Sequence, residues 1–307
     1  MLSSFFTVFQ KGLILFIMMA VGYVCGKTGM VTKRGAQQIT SVLIYVVAPC
    51  LTISSLQSII GEVSLGSLLI TAGLSVLALM ASILVSMLFF RNSIYERKKV
   101  LRFAIAYSNS GFMGIPLVEA VLGSMGVAYA AVYNAIFNLF VWTHGLKIMN
   151  SKQRIDLKSI ILNPGLIGLM IGLPLFAFSY KLPNLIAFPI SSLASLNTPL
   201  AMIVVGSFIS KVNLKELFVD LDLYKASFVR LLLIPLVTFA LMVPFQFDHT
   251  LATTILLLSC APTAAMTAMF ASQFGGDAKL ASKSVALTTL FSMLTMPLFS
   301  MLAQHFL

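Results

Sequence analysis

Ten apolar stretches of membrane-crossing length divide this chain, and they restrict its fold more than any other feature. A helix needs about 20 apolar residues to cross the hydrocarbon core of a bilayer. Only 9% of the residues are charged and 59% are hydrophobic, whereas soluble domains carry about 25% charged residues. We therefore predict an all-α polytopic membrane protein with lipid as its solvent. The ten predicted transmembrane helices cover residues 5–26, 37–60, 65–90, 100–123, 127–149, 159–179, 188–210, 224–247, 251–275 and 284–304.

The basic residues test this division independently, because Lys and Arg accumulate in cytoplasmic loops. Of the 20 basic residues, 18 lie in or beside alternate connections, beginning with the connection after the first span. The exceptions are Lys11 and Lys181. This pattern predicts a cell-membrane protein with both termini outside the cytoplasm. The net charge of +11 then reflects orientation in the membrane, so we expect no nucleic-acid partner.

The two halves of the chain contain an internal repeat. Matching residues lie 150 to 152 positions apart, which is the length of five predicted spans. The matched pairs are Gly22 with Gly172, Pro49 with Pro199, and Gly123 with Gly275. Because five is odd, the second half enters the membrane from the opposite side, as in the inverted repeats of secondary transporters. We predict a first five-helix repeat at 1–149, a cytoplasmic link at 150–158 and an inverted second repeat at 159–307.

The fourth and ninth spans are interrupted near their centres, at SNSGFMGIP and SCAPTAAMT. Proline lacks an amide hydrogen and clashes with the preceding turn, so it frees carbonyls that lipid cannot satisfy. We expect two broken helices whose unwound centres face protein, water or a ligand. Pro116 and Pro262 are expected to open the second half of each span, since proline suits the first helical position. Two electropositive helix N-termini would then point at one pocket near the midplane.

Neutral hydrogen-bonding groups surround both interruptions, and neither contains an acidic residue. Such a site favours an organic anion over a bare cation. The predicted substrate-binding residues are Asn109, Ser110, Gly111, Gly114, Pro116, Ser259, Pro262 and Thr263, together with Asn134 and Asn138, one helical turn apart in the fifth span. The alternative interpretation is structural: the prolines kink packed helices, the glycines allow close packing, and the two asparagines join helices.

Other polar residues have weaker interpretations. Glu119 follows Pro116 and could accept a coupling proton or gate the site, although an interfacial acid at a helix N-terminus is the simpler alternative. Arg230 and Lys147 are expected to extend to the cytoplasmic interface, although either could attract an anion entering from inside. His144 is expected to be a structural residue with a partner. We expect neither a disulfide nor a metal site from the cysteines, which lack paired spacing. We found no hydrolase or nucleotide-binding motif, so we expect neither catalysis nor a cofactor.

The residues NSGFMGIPL at 109–117, GGD at 275–277 after APT at 261–263, and the inverted ten-span pattern resemble the auxin efflux carrier family along essentially the whole chain. The resemblance implies that spans one, two, six and seven form a scaffold and the others a mobile transport domain. It also implies that broken spans four and nine cross at the substrate site. Family substrates are organic anions, namely auxin in plant members and malate or malonate in some bacterial ones. Thr267 stands where plant members have a second proline, and the short link suits a bacterial permease.

These observations predict a secondary transporter that moves a small organic carboxylate by alternating access. One alternative is a sodium- or proton-coupled symporter or antiporter of related fold, which would need acidic or dense polar ligands at the crossing. The other is a membrane sensor or subunit without transport of its own, which would usually carry a soluble output domain. The sequence leaves open the identity of the anion, the coupling ion, the direction of transport and the oligomeric state, a homodimer included.

Overall fold

A computed structural model describes residues 2–150, 163–213, 217 and 219–306 of the chain. Their regular structure is helical. The helices are α1 Leu2–Lys27, α2 Lys33–Val42, α3 Ala48–Ser58, α4 Leu65–Leu88, α5 Tyr95–Ala106, α6 Ile115–Phe140, α7 Leu146–Met149, α8 Pro164–Ala177, α9 Asn184–Ala194, α10 Asn197–Ile209, α11 Leu221–Phe228, α12 Ile234–Met242, α13 His249–Cys260, α14 Met266–Gln273 and α15 Ala278–Phe306. Wider π-helical turns lie at Leu43–Val47, Ser110–Gly114, Val141–Gly145 and Val229–Leu233.

The lengths of these helices agree with a polytopic membrane protein. Within the described residues, seven helical stretches are long and apolar enough to cross a bilayer, and α8 and α13 are shorter apolar helices. The longest stretch, Ser110–Met149, has 40 residues and turns at Gly123, whose φ of 66° is not helical. The prediction of an all-α membrane protein is therefore confirmed. The predicted link at 150–158 and the start of span six fall largely on residues 151–162, outside the described residues.

Short polar segments end the helices and supply their caps. The side chains of Thr32, Ser64 and Asp248 accept hydrogen bonds from the first-turn amides of α2, α4 and α13. Inside the helices, serine and threonine hydroxyls donate to carbonyls of the preceding turn, as Ser75 does to Thr71 O at 2.6 Å. These internal partners matter because hydrocarbon offers none to a hydroxyl group.

Small residues let two pairs of helices approach closely: α1 lies along α10, and α3 lies along α8. A Cβ atom added to Gly22 would stand 2.4 Å from the carbonyl oxygen of Ile203. A Cβ on Gly168 would stand 2.8 Å from the Cα of Pro49. Both distances are shorter than real contacts, so these positions require glycine. Close backbone approach through glycine is a main source of helix association in membranes.

The remaining helices surround two that end inside the protein. Helix α13 packs against α4, α6 and α15, and α5 packs against α4, α11 and α15. The last residues of α5 and α13, Ala106 and Cys260, are 1% and 0% exposed. Two helix ends therefore lie in the interior, where their carbonyls must find partners within the protein.

Candidate functional site

The two segments that follow these buried helix ends pair with each other. We call residues 107–114 the first break and residues 261–265 the second break. Ser108 and Thr263 form an isolated antiparallel bridge. The amide of Asn109 donates to Pro262 O at 2.6 Å, and the amide of Ala264 donates to Tyr107 O at 2.9 Å. Backbone groups released by one interruption thus satisfy groups released by the other, which is what a lipid environment demands.

Helix α15 holds the second break in place. The amide of Thr263 donates to the Oγ1 of Thr288 at 3.1 Å, and the Thr263 hydroxyl donates to Ala104 O at 3.0 Å. The hydroxyl of Thr288 in turn donates to Ser284 O at 2.7 Å. Thr288 was not among the predicted residues, because nothing along the chain distinguishes it from other hydroxyl residues in the tenth predicted span.

The two prolines have different positions. Pro116 lies in the first turn of α6, as expected, and the π-helical turn Ser110–Gly114 precedes it. The prediction for Pro262 is wrong, because α14 begins only at Met266 and Pro262 belongs to the extended pairing segment. The physical reason is the backbone bridge: an extended strand must run past Thr263 before the chain can turn back into a helix.

Polar residues at the breaks are buried. Asn109 is 5% exposed, and Ser110 and Thr263 are at most 1% exposed. The side-chain nitrogen of Asn109 has no hydrogen-bond partner. Leaving a buried amide unpaired costs about 1–3 kcal/mol of stability. A ligand oxygen that accepted a hydrogen bond from this nitrogen would remove that cost. Among the predicted residues, Asn109 has the geometry best suited to meet a ligand oxygen.

A polar track connects the first break with the start of α8. The hydroxyl of Ser110 donates to Asn134 Oδ1 at 3.3 Å, and a Cβ on Gly111 would stand 3.6 Å from the same oxygen. One turn further on, Asn138 Nδ2 donates to Asn134 O at 2.8 Å. A Cβ on Gly165 would meet Asn138 Nδ2 at 2.9 Å. The structure therefore brings Ser110, Gly111 and Asn134 together and places Asn138 beside them, toward α8.

Asn163 extends this track and was missed by sequence analysis. It is 6% exposed, and its side-chain oxygen accepts from the amide of Gly165 at 3.0 Å, which caps α8. A Cβ on Gly165 would stand 3.3 Å from this oxygen and 2.9 Å from Asn138 Nδ2. The side chains of Asn163 and Asn138 therefore lie near the same glycine. The available signal was the Asn-Pro pair at 163–164, a typical helix start.

Gly114 and Ser259 lie against other parts of the protein. A Cβ on Gly114 would stand 2.8 Å from Leu258 Cδ2, so this glycine lets the first break approach α13. The hydroxyl of Ser259 donates to Leu256 O at 2.7 Å, within its own helix. Gly114 therefore has a role in packing, and the Ser259 hydroxyl already donates to a carbonyl of its own helix.

The position of Arg230 differs from the prediction. We expected it to extend to the cytoplasmic interface, but it is 1% exposed. Its Nη1 donates to Ile105 O at 2.8 Å, and its Nη2 donates to Ser259 O. The carbonyls at the ends of α5 and α13 offer acceptors inside the protein, which is why the side chain need not reach water. A buried cation that the sequence did not predict therefore lies beside the paired breaks, at the helix ends that precede them.

The structure does not bring Glu119 to the breaks. This side chain is exposed, and its Oε2 accepts from the hydroxyl of Thr198 at 2.8 Å, at the start of α10. His144 lies nearer, with Nδ1 2.8 Å from the hydroxyl of Tyr107 in the first break. Lys147 is exposed.

A helical protein with several membrane-crossing stretches, whose interrupted helices meet in the interior, has the construction of a membrane transporter. Comparison with known proteins agrees. Residues 7–300 match the profile of the membrane transport protein family, and the chain belongs to this family of auxin efflux carrier-like transporters.

Two relatives show how far the similarity extends. The chain is 26% identical over 303 residues to an uncharacterized transporter of Methanocaldococcus jannaschii, covering 93% of this chain and 96% of that protein. It is 26% identical over 291 residues to an uncharacterized transporter of Methanothermobacter thermautotrophicus, covering 92% and 94% of the two chains. Both organisms are archaea, and neither name specifies a substrate.

Proposed function

We propose that the protein is a secondary transporter that carries a small organic anion across the cell membrane by alternating access. The substrate would be a carboxylate, of the malate, malonate or auxin type. The observation that carries the proposal is the pairing of the two breaks around Asn109, whose buried side-chain nitrogen has no partner. Family membership supports transport as the activity.

The chemistry of the breaks favours an anion. Residues 107–114 and 261–265 contain no Asp or Glu, so no carboxylate would repel the substrate there. The side-chain amide of Asn109 and the backbone amides at the start of the helical segment at Ser110 offer N–H donors, which suit carboxylate oxygens. Because Asn109 is only 5% exposed, the protein must open toward one side and then the other for an anion to pass.

We also propose ten spans in two inverted repeats, 1–149 and 159–307, joined by a cytoplasmic link at 150–158. Equivalent contacts support this division. A Cβ on Gly22 would stand 2.6 Å from the Cα of Ile203, and a Cβ on Gly172 would stand 3.4 Å from the Cα of Ile53. Gly172 and Ile203 follow Gly22 and Ile53 by 150 residues, so the same contact occurs in both halves with the partners exchanged.

The third matched pair adds a backbone criterion. Gly123 and Gly275 both have a φ of +66°. Residues with side chains rarely adopt this conformation, so agreement at matched positions is informative. Each glycine ends a helical segment that follows one of the two breaks, which is the arrangement an inverted repeat requires.

The packing suggests which parts move. Glycines join α1 to α10 and α3 to α8, and we assign these two closely packed pairs to the scaffold. The paired breaks belong instead to the group around α5, α6, α13 and α15. In the proposed mechanism this second group shifts against the scaffold and carries the bound anion, while the track from Ser110 to Asn138 provides polar contacts toward the cytoplasmic side.

Transport by purified protein in proteoliposomes tests the proposal, using labelled mono- and dicarboxylates. We expect wild type to take up at least one of them, and Asn109→Ala to be slower by about tenfold or more because a substrate hydrogen bond is lost. Ser75→Ala is the matched control, since Ser75 is also fully buried but donates within its own helix. Failure of wild type to move any carboxylate, or normal uptake by Asn109→Ala, would contradict the proposal. Binding without movement would instead favour a sensor.

A further inference from the structure

The guanidinium group of Arg230 joins the two helices that end at the breaks. Arg230 lies in the π-helical turn Val229–Leu233 and is 1% exposed. Its Nη1 donates to Ile105 O at 2.8 Å and its Nη2 to Ser259 O. Both acceptors are penultimate residues, the first of α5 and the second of α13. One cation therefore contacts the C-terminal carbonyls of both interrupted helices.

This cation lies deep in the membrane-spanning part of the protein. At the start of α5, Arg97 Nε donates to Asp222 Oδ2 at 3.0 Å, which marks where α5 and α11 begin side by side. Ile105 and Arg230 follow Arg97 and Asp222 by eight residues each. Eight helical residues rise about 12 Å, within a hydrocarbon core of about 30 Å. The contact between Arg230 and Ile105 therefore lies near the middle of the bilayer.

Among the residues that the structure describes, the charge of Arg230 has no carboxylate partner. None of the described acidic side chains forms an ion pair with it, and its Nε has no hydrogen-bond partner. The C-terminus of a helix carries roughly half a negative charge. Two such ends, those of α5 and α13, together offset about one positive charge. Arg230 is thus balanced by helix ends.

Helix ends of this kind have a known use in transporters. In ion-coupled carriers built from broken helices, C-terminal ends and unwound carbonyls hold Na⁺ or H⁺. Here the guanidinium already occupies the carbonyls of Ile105 and Ser259. A metal cation entering the same place would have to displace a covalently attached charge that is already desolvated.

We propose that Arg230 is a resident cation that takes the place of a coupling metal ion, so that the carrier does not need Na⁺. The inference rests on the proposed transport of organic anions and specifies the regulation of that site. Arg230 acts as a positioning residue: it holds the two helix ends together and offsets their partial negative charge, so that they do not repel an anion at the paired breaks.

The first test uses the wild-type protein in proteoliposomes. Uptake of a transported carboxylate is measured in media containing Na⁺, K⁺ or N-methylglucamine as the cation. We expect equal initial rates in all three media, because the positive charge belongs to the protein. Uptake that requires Na⁺ would overturn the proposal, since an external cation would then complete the site.

The second test removes the guanidinium and offers it back. We expect Arg230→Ala to melt roughly 5–10 °C below wild type in detergent, because two buried carbonyls and two helix ends lose their counter-charge. Millimolar ethylguanidinium, a small analogue of the lost group, should raise the melting temperature saturably. A variant as stable as wild type, or one that ethylguanidinium does not stabilise, would contradict the inference.

Arg102 provides the matched control. Its Nε donates to Phe89 O at 3.0 Å and its Nη2 to Met87 O at 2.9 Å, so this arginine also contacts two carbonyls at a helix C-terminus, here the single end of α4. Arg102 is half-buried, and water can replace its hydrogen bonds. We expect Arg102→Ala to show no response to ethylguanidinium. An equal response in both variants would mean that the effect is not specific to the breaks, against the proposal.

The two tests separate this inference from the proposed function. If Arg230→Ala does not fold, uptake by wild type in the three cation media still tests the proposal. Uptake by Arg230→Lys adds a second test, because this variant keeps the charge and should remain independent of Na⁺. Wild type that moves no carboxylate would remove the proposed function, whereas the stability rescue needs no transport. Na⁺-dependent uptake would leave a transporter but remove the role of Arg230.

Discussion

Gly22 and Gly206 face each other across the contact between α1 and α10. A Cβ on Gly206 would stand 2.0 Å from Met19 O, and one on Gly22 would stand 2.4 Å from Ile203 O. The obstacles are backbone atoms, which cannot move aside as the end of a flexible side chain can. At these positions a single methyl group decides whether the two helices can meet.

We therefore predict that Gly22→Ala destabilises the protein by about 1–3 kcal/mol, through overpacking against the backbone of α10. The control is Gly12→Ala in the same helix, where an added Cβ would meet nothing within 4 Å. Thermal unfolding of both variants in detergent measures the difference. Equal stability of the two variants would contradict the assignment of this contact.

At the scale of single residues, the sequence predicted some residues of the candidate site and missed others. Asn109, Ser110 and Asn134 were identifiable because polar groups inside an apolar run must have partners or a ligand. Arg230 was misplaced, because its position along the chain shows its depth but not which helix ends it meets. Its burial depends on two carbonyls more than 25 residues away in sequence, at Ile105 and Ser259.

The second break depends on α15 as an element. The amide of Thr263 lies in a buried extended segment and donates to the Thr288 hydroxyl, 25 residues further along the chain. Helix α15 therefore supports the paired breaks in addition to the backbone bridge between Ser108 and Thr263.

Replacing Thr288 by valine should destabilise the break. Thr288→Val keeps the shape of the side chain but leaves the amide of Thr263 unpaired, at a cost of about 1–3 kcal/mol. Thr289→Val is an unusually close control, because Thr289 is equally buried and its hydroxyl has no partner. We expect Thr289→Val to be neutral or stabilising in thermal unfolding. The opposite order of stability would show that Thr288 does not support the break.

The wrong prediction that Pro262 opens a helix also concerns the scale of whole elements. A proline in an apolar stretch predicts an interruption, but it does not state the length of the non-helical segment. Here α14 starts four residues after Pro262 because Pro262 and Ala264 pair with the first break. That pairing joins segments about 150 residues apart and leaves no local signal.

At the scale of the whole molecule, the apolar runs alone predicted an all-α polytopic membrane protein, because lipid excludes most other arrangements. The division into ten spans is a finer prediction. Segments such as Ser110–Met149 show why it is difficult: one helical stretch of 40 residues contains a turn at Gly123. Orientation was inferred from the positions of basic residues, a property of loops rather than of packing.

Cysteine labelling tests this orientation. In a background with the three native cysteines replaced, we predict that Gln304→Cys reacts with a membrane-impermeant maleimide in intact cells, because the positions of the basic residues predict a C-terminus outside the cytoplasm. Asn92→Cys, in the basic loop after α4, should react only after permeabilisation. Both positions are exposed, so accessibility within the protein is comparable. The reverse labelling pattern would show that the protein has the opposite orientation in the membrane.

The most direct test of the account is the accessibility of the paired breaks from both sides of the membrane. Ala265 is half-buried in the second break, and Ala265→Cys in the cysteine-free background can be labelled in oriented proteoliposomes from either face, with Asn92→Cys as a one-sided control. Alternating access predicts reaction of Ala265→Cys from both faces, slowed by a transported carboxylate. Reaction from one face only, or at a rate that no carboxylate changes, would contradict a carrier whose substrate site lies between the two breaks.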